Sequence, residues 1–234
     1  MDVLYFEAPA QGGPGTPPAR GSGFQPAPEP LVNAPWPVVV LTASIVVAYL
    51  VQSRFPIEVV SQLFAFSPAR LAQGSAQGLV SSLFVHGNWA HALMNAGFIL
   101  AFGAPVSRFF GPKLTGVALF FLFYLSCGIV ACLGFAALHW GQPASLIGAS
   151  GAASGLMGAA ARLIAGQGRV GPLFSRIVVS MAASWVAVNV VMAFAGGLLI
   201  PGAGDGPISW EAHLTGFAAG ALLIPVFGWF GRRR

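Results

Sequence analysis

Charge is what this sequence lacks. Of its 234 residues only 7% are charged, while 56% are hydrophobic. A soluble domain carries about 25% charged residues. So apolar a surface could not stay dispersed in water, which excludes a monomeric soluble domain. Acidic residues number six and fall in the N-terminal region, the connections and the start of the last apolar segment. The paired intramembrane acids of a transporter or channel are therefore missing, and no internal repeat is visible. The eleven basic residues are thinly spread and form no patch with interleaved aromatics, so nucleic acid is not an expected partner. Cysteine is scarce too. Cys127 and Cys132 lie five positions apart on one apolar segment, point in different directions on a helix and are not expected to form a bridge. They are read as packed thiols and say nothing of redox compartment.

What is present in abundance is apolar sequence in runs near the length that crosses a bilayer. Residues 1–33 are a different material, rich in proline and glycine, and read as a disordered tail. They show no basic stretch followed by an apolar run and a cleavage site, so no signal peptide is expected there. Six apolar segments follow: Pro35–Val51, Leu83–Pro105, Leu114–Leu138, Leu146–Ile164, Ile177–Ile200 and Ile208–Phe230. The expected fold class is all-α, a polytopic bundle of six transmembrane helices over residues 34–231, with a basic tail at 232–234. The stretch from Gln52 to Gly78 is too long and too apolar for a simple turn and is expected to lie partly in the membrane interface.

Basic residues set the orientation. Arg108, Lys113, Arg162, Arg169, Arg176 and the terminal Arg232, Arg233 and Arg234 fall on one side of the six segments, and only Arg54 and Arg70 fall in connections on the other. The first group is expected to face the cytoplasm, with both chain ends and Arg20 there too, and the terminal arginines held near anionic membrane lipid. Trp36, Trp89, Trp140, Trp210 and Trp229 fall near segment ends, as an aromatic belt requires. Trp185 lies mid-span and reads as packing.

Polar groups inside apolar segments are where function is sought, because an unpaired one costs several kcal/mol in hydrocarbon. The string Gly148-Ala149-Ser150-Gly151 opens the fourth segment. A serine there is either an N-cap or packing glue, yet Gly151, Gly155 and Gly158 form a smooth stripe beside it for a neighbouring helix. The free N–H groups and positive dipole of a helix start also suit a developing oxyanion. In the sixth segment His213, Gly216 and Gly220 share one face. If that face packs on the fourth segment, His213 meets Ser150, and the pair supplies the nucleophile and base of acyl transfer. In the second segment His91 and Asn95 lie one turn apart and can both donate to an oxyanion. His86 lies five residues before His91, turns elsewhere and is read as ordering the preceding loop. A spacing of five with no intervening acid does not favour a metal, and neither metal nor cofactor is expected. Asn189 has no companion motif and reads as structural. His139, beside Trp140 at a segment end, reads as interfacial.

Taken together and in this order, His86…His91…Asn95, Gly148-Ala149-Ser150-Gly151 and Ala212-His213…Gly216…Gly220 resemble the motifs of the rhomboid family of intramembrane serine proteases, over roughly residues 80–230. The resemblance implies a six-helix bundle with a half-embedded first loop and a Ser–His dyad in a wet cavity below the outer face. It makes Ser150 the nucleophile, His213 the general base, and the side chains of His91 and Asn95 with the Ser150 backbone N–H the oxyanion hole. The implied substrates are transmembrane segments of other membrane proteins, cleaved through an acyl-enzyme without a cofactor. Rhomboid-like relatives that only bind client helices are the alternative, and these typically lack the serine or the histidine. The compact form resembles the bacterial inner-membrane type, and nothing in the pattern assigns an oligomeric state. Gln77 and Gly78 stand where many members carry Trp-Arg, Ser107 where many carry Glu, and Ser154 where an aromatic often packs on the catalytic histidine. A less rigid first loop and a less firmly held His213 are the expectations that follow.

Overall fold

The computed structural model describes residues 34–195 and 209–232. Among them every regular element is a helix. The tail at 1–33, the end of the fifth apolar segment, the start of the sixth, and Arg233 and Arg234 lie outside the described residues. Helix α1 (Trp36–Gln52) carries a proline in its first turn, where no backbone donor is lost. Three short helices follow, α2 (Ile57–Phe64), α3 (Pro68–Ala72) and α4 (Gly78–Ser81), and then a 3₁₀ turn at Ser82–Phe84. The long helices are α5 (Trp89–Phe110), α6 (Leu114–Leu138), α8 (Arg176–Ala195) and α9 (Trp210–Arg232). These four are long and apolar enough to cross a membrane. Between them α7 (Ser150–Ala165) has 16 residues.

Helix α5 begins six residues later than the apolar run suggests. The Asn88 side chain accepts from the His91 N–H at 2.8 Å and caps the helix at that point, as short polar side chains do. It also runs on through Pro105 and stops only at Gly111, whose φ of 86° ends it.

Small residues put α7 at the centre. Residues 151–161 are all buried, and α5, α6, α8 and α9 all pack against it. The closest neighbour is α9. A Cβ on Gly216 would collide with the Gly151 carbonyl, one on Gly220 with the Gly155 carbonyl, and one on Gly158 with the Phe217 carbonyl. The two backbones are in direct contact, which only glycine permits. At 1.5 Å per residue α7 spans about 24 Å, short of the roughly 30 Å of hydrocarbon. Arg162, in its last turn, donates to the carbonyls of Gly171 and Ala221.

The first loop is more firmly built than Gln77 and Gly78 led the sequence to suggest. The Arg70 guanidinium donates to the carbonyls of Gln62, at 2.7 Å, and Ala65. Ser81 Oγ donates to the Phe64 carbonyl at 2.7 Å, and Gln77 Nε2 to that of Leu63 at 3.3 Å. Gly78 packs on the backbone of Phe66, and a Cβ there would stand 2.6 Å from its Cα. Phe66 and Leu146 exchange backbone hydrogen bonds at 3.0 and 2.9 Å, tying the loop to the approach to α7. Phe55, Val59, Leu63 and Phe64 remain exposed, an apolar face suited to lipid.

Candidate functional site

The site is assembled at the N-terminus of α7. Gly148 takes a φ of 113°, which side chains rarely adopt. A Cβ there would also stand 2.6 Å from His91 Nε2. The turn thus brings the chain hard against α5 just before Ser150 starts the helix. The Ala153 N–H bonds to the Ala149 carbonyl at 2.9 Å, so the N–H groups of Ser150, Gly151 and Ala152 are the ones that a first turn leaves without intrahelical partners.

His213 comes from the second turn of α9. Its Nε2 lies 2.8 Å from Ser150 Oγ. The glycine contact between α7 and α9 produces this approach, since Gly216 is one turn beyond His213 on the face that meets Gly151. His213 is buried, at 7% exposed, while Ser150 is only half-buried.

Asn189, read from the sequence as structural, reaches the same group. Its Oδ1 lies 2.6 Å from His213 Nδ1, and its Nδ2 donates to the Trp185 carbonyl at 2.8 Å. The Trp185 ring stands 5.7 Å from the imidazole, tilted by 41°. The expectation of a loosely held His213 is therefore corrected. Ser154 offers no ring and donates instead to the Ser150 carbonyl at 2.7 Å, but α8 supplies both a ring and a hydrogen-bond partner. Val178, Trp185 and Asn189 form the buried seam of α8, at spacings of seven and four, while most of the helix is exposed.

His91 and Asn95 converge on Gly148. Their nearest atoms to its Cβ position are His91 Nε2 and Asn95 Nδ2, at 2.6 and 3.7 Å. Asn95 is buried, and its Nδ2 has no hydrogen-bond partner. A buried donor left unpaired costs about 1–3 kcal/mol, and this one points to the same turn as His91 Nε2.

His86 does more than order a loop. Its backbone is clamped by Gln52, whose Oε1 accepts from the His86 N–H at 3.1 Å and whose Nε2 donates to the His86 carbonyl. Its ring does not turn away from the site. It stacks edge-on against His91 at 5.0 Å, and its Nε2 accepts from the Ala149 N–H at 3.4 Å, one residue before Ser150. A ring nitrogen that accepts carries no hydrogen of its own, so this imidazole is not doubly protonated.

The Rhomboid domain family model matches residues 73–230, from just ahead of α4 almost to the end of α9 and across all three polar clusters. The chain belongs to the rhomboid family. No curated protein matches it. The family comprises intramembrane proteases and inactive relatives, and a rhomboid with four helices able to cross a bilayer is an integral membrane protein with a polytopic helical bundle. In this rhomboid His139 also departs from a merely interfacial role. Its Nε2 lies 3.0 Å from Glu211 Oε1 in the first turn of α9. That hydrogen bond, more than the added contact with Gln142, raises the His139 pKa above its ordinary value against the opposing effect of desolvation.

Proposed function

We propose that this rhomboid is an intramembrane serine endopeptidase that cleaves transmembrane segments of other membrane proteins. The observation that carries the reading is the 2.8 Å approach of His213 Nε2 to Ser150 Oγ across two glycine-lined helices. Ser150 Oγ attacks the scissile carbonyl carbon while its proton passes to His213 Nε2. The tetrahedral oxyanion takes hydrogen bonds from the Ser150 backbone N–H and the side chains of His91 and Asn95. The C–N bond then breaks, His213 returns the proton to the leaving amine, and water, activated by the same imidazole, hydrolyses the acyl-enzyme ester. No cofactor takes part.

Six spans build the surrounding bundle over residues 34–231, with α1 and α7 joining the four longer helices and the first loop resting in the interface. Both termini face the cytoplasm, where the basic residues fall, and the 232–234 tail rests on anionic lipid. The compact form fits a bacterial inner membrane. The shortness of α7, with its cytoplasmic end tied by Arg162, supports a dyad recessed below the outer surface.

A fluorophosphonate probe tests the reading. Wild-type protein in lipid is expected to be labelled at Ser150 and to cut a membrane-spanning substrate, while Ser150→Ala and His213→Ala fold normally and do neither. Labelling that persists in Ser150→Ala would overturn it. A purified protein that binds a client helix and never processes it, in any lipid, would instead favour an inactive client-binding rhomboid.

A further inference from the structure

The hydroxyl and the imidazole do not by themselves fix which ring nitrogen carries the proton, and the reaction depends on that. A histidine that accepts the serine proton must present a bare Nε2 and so hold its hydrogen on Nδ1. The imidazole on its own does not choose that form. With the hydrogen on Nε2, His213 would donate to Ser150 Oγ instead of accepting from it.

The choice is made from α8. The Trp185 carbonyl only accepts, so the amide at Asn189 must turn its NH₂ towards it, at 2.8 Å. This leaves Asn189 Oδ1 facing His213 Nδ1 at 2.6 Å. An amide oxygen cannot donate, so the hydrogen between them belongs to Nδ1. The polarity then runs one way: Ser150 Oγ–H to His213 Nε2, His213 Nδ1–H to Asn189 Oδ1, Asn189 Nδ2–H to the Trp185 carbonyl. Asn189 is 1% exposed, so no water competes for its oxygen. The Trp185 ring lies against the imidazole at 5.7 Å and restrains its rotation.

We propose that Asn189 is a positioning residue that fixes the tautomer and orientation of His213, making a Ser150–His213–Asn189 relay anchored on Trp185. The inference rests on the hydrolase reading of Ser150 and His213 and adds its third member. A neutral amide suits the site. It satisfies the Nδ1–H and stabilises the imidazolium when it forms, without the desolvation cost of a second buried charge. The relay also spans three helices, α7, α8 and α9, so the orientation of the base depends on α8 staying in place.

Full-length protein in lipid tests it with Asn189→Leu, which removes the acceptor at similar volume, and Asn189→Asp, which keeps one. Asn189→Leu is expected to be labelled by the fluorophosphonate about tenfold to a hundredfold more slowly, with kcat for a transmembrane substrate lowered and KM unchanged. Asn189→Asp is expected to recover part of the rate. Nitrogen-15 spectra of histidine-labelled wild type, assigned by the signal lost in His213→Gln, are expected to show His213 protonated on Nδ1. A wild-type labelling rate in Asn189→Leu, or a wild-type His213 protonated on Nε2, overturns the proposal. If Asn189→Leu does not fold, the wild-type tautomer decides alone. A wild type that never labels at Ser150 removes the hydrolase reading, and the tautomer still decides whether Asn189 orients the ring.

Discussion

Gly220 meets Gly155 so closely that no side-chain carbon fits between the two backbones. The same holds one turn earlier, for Gly216 and Gly151. These contacts set the separation of the helices that carry Ser150 and His213, and each can be opened by a single methyl group.

Gly216→Ala and Gly220→Ala are therefore expected to push α9 off α7. Overpacking a filled interior costs about 1–3 kcal/mol, and here the obstacle is backbone, which cannot rotate aside. Both variants should unfold at lower temperature and lose fluorophosphonate labelling of Ser150. Ala218 lies in the same helix with its side chain exposed, so Ala218→Leu should leave both measurements unchanged.

Asn95→Ala separates activity from stability. Among the described residues no group of the chain accepts from Asn95 Nδ2, so its removal forfeits no hydrogen bond within the chain from that nitrogen. The melting temperature should be unchanged or raised. Cleavage should nevertheless fall about 10²- to 10³-fold, as when one oxyanion donor is removed elsewhere.

Gln52→Ala tests the clamp between α1 and the approach to α5. Gln52 holds both the N–H and the carbonyl of His86. Its loss strands buried backbone groups at about 1–3 kcal/mol and frees the ring that supports the Ala149 N–H. Denaturation should come earlier and labelling should slow, although Gln52 lies outside the catalytic groups. Unchanged values of both would show that the clamp has no influence.

The first turn of α9 should respond to pH through His139. Its folded pKa is raised, chiefly by the hydrogen bond to Glu211. The contribution to stability is therefore complete below the unfolded value, about 6.5, and is lost as pH rises through the folded one. Thermal stability should decline as pH passes upward from about 6.5, and His139→Gln should flatten that decline. The side chain is partly exposed, so the effect should be small and should weaken further with added salt.

The glycine periodicities on α7 and α9 were legible because close backbone approach needs small residues at helical spacing, and that pattern is local. The meeting of Ser150 and His213 followed from it. The role of Asn189 was hidden because its partner lies 24 positions away on another helix and no repeated spacing announces such a bond. The pairing with Trp185, one turn back on the buried side of α8, was its only trace. His86 was assigned to its loop because neighbours in sequence dominate such a reading, whereas its contact at Ala149 is 63 positions distant. The start of α5 was misplaced by the apolar run before it. Asn88, a common capping residue, marked the true boundary.

The encasement of α7 also bears on how the bundle is put together. A segment touched on all sides by its own protein meets few acyl chains, so volume rather than oiliness constrains its sequence. Its glycines and alanines give it little affinity of its own for the bilayer interior. Its place therefore depends on its fit to α5, α6, α8 and α9 more than on any attraction to lipid.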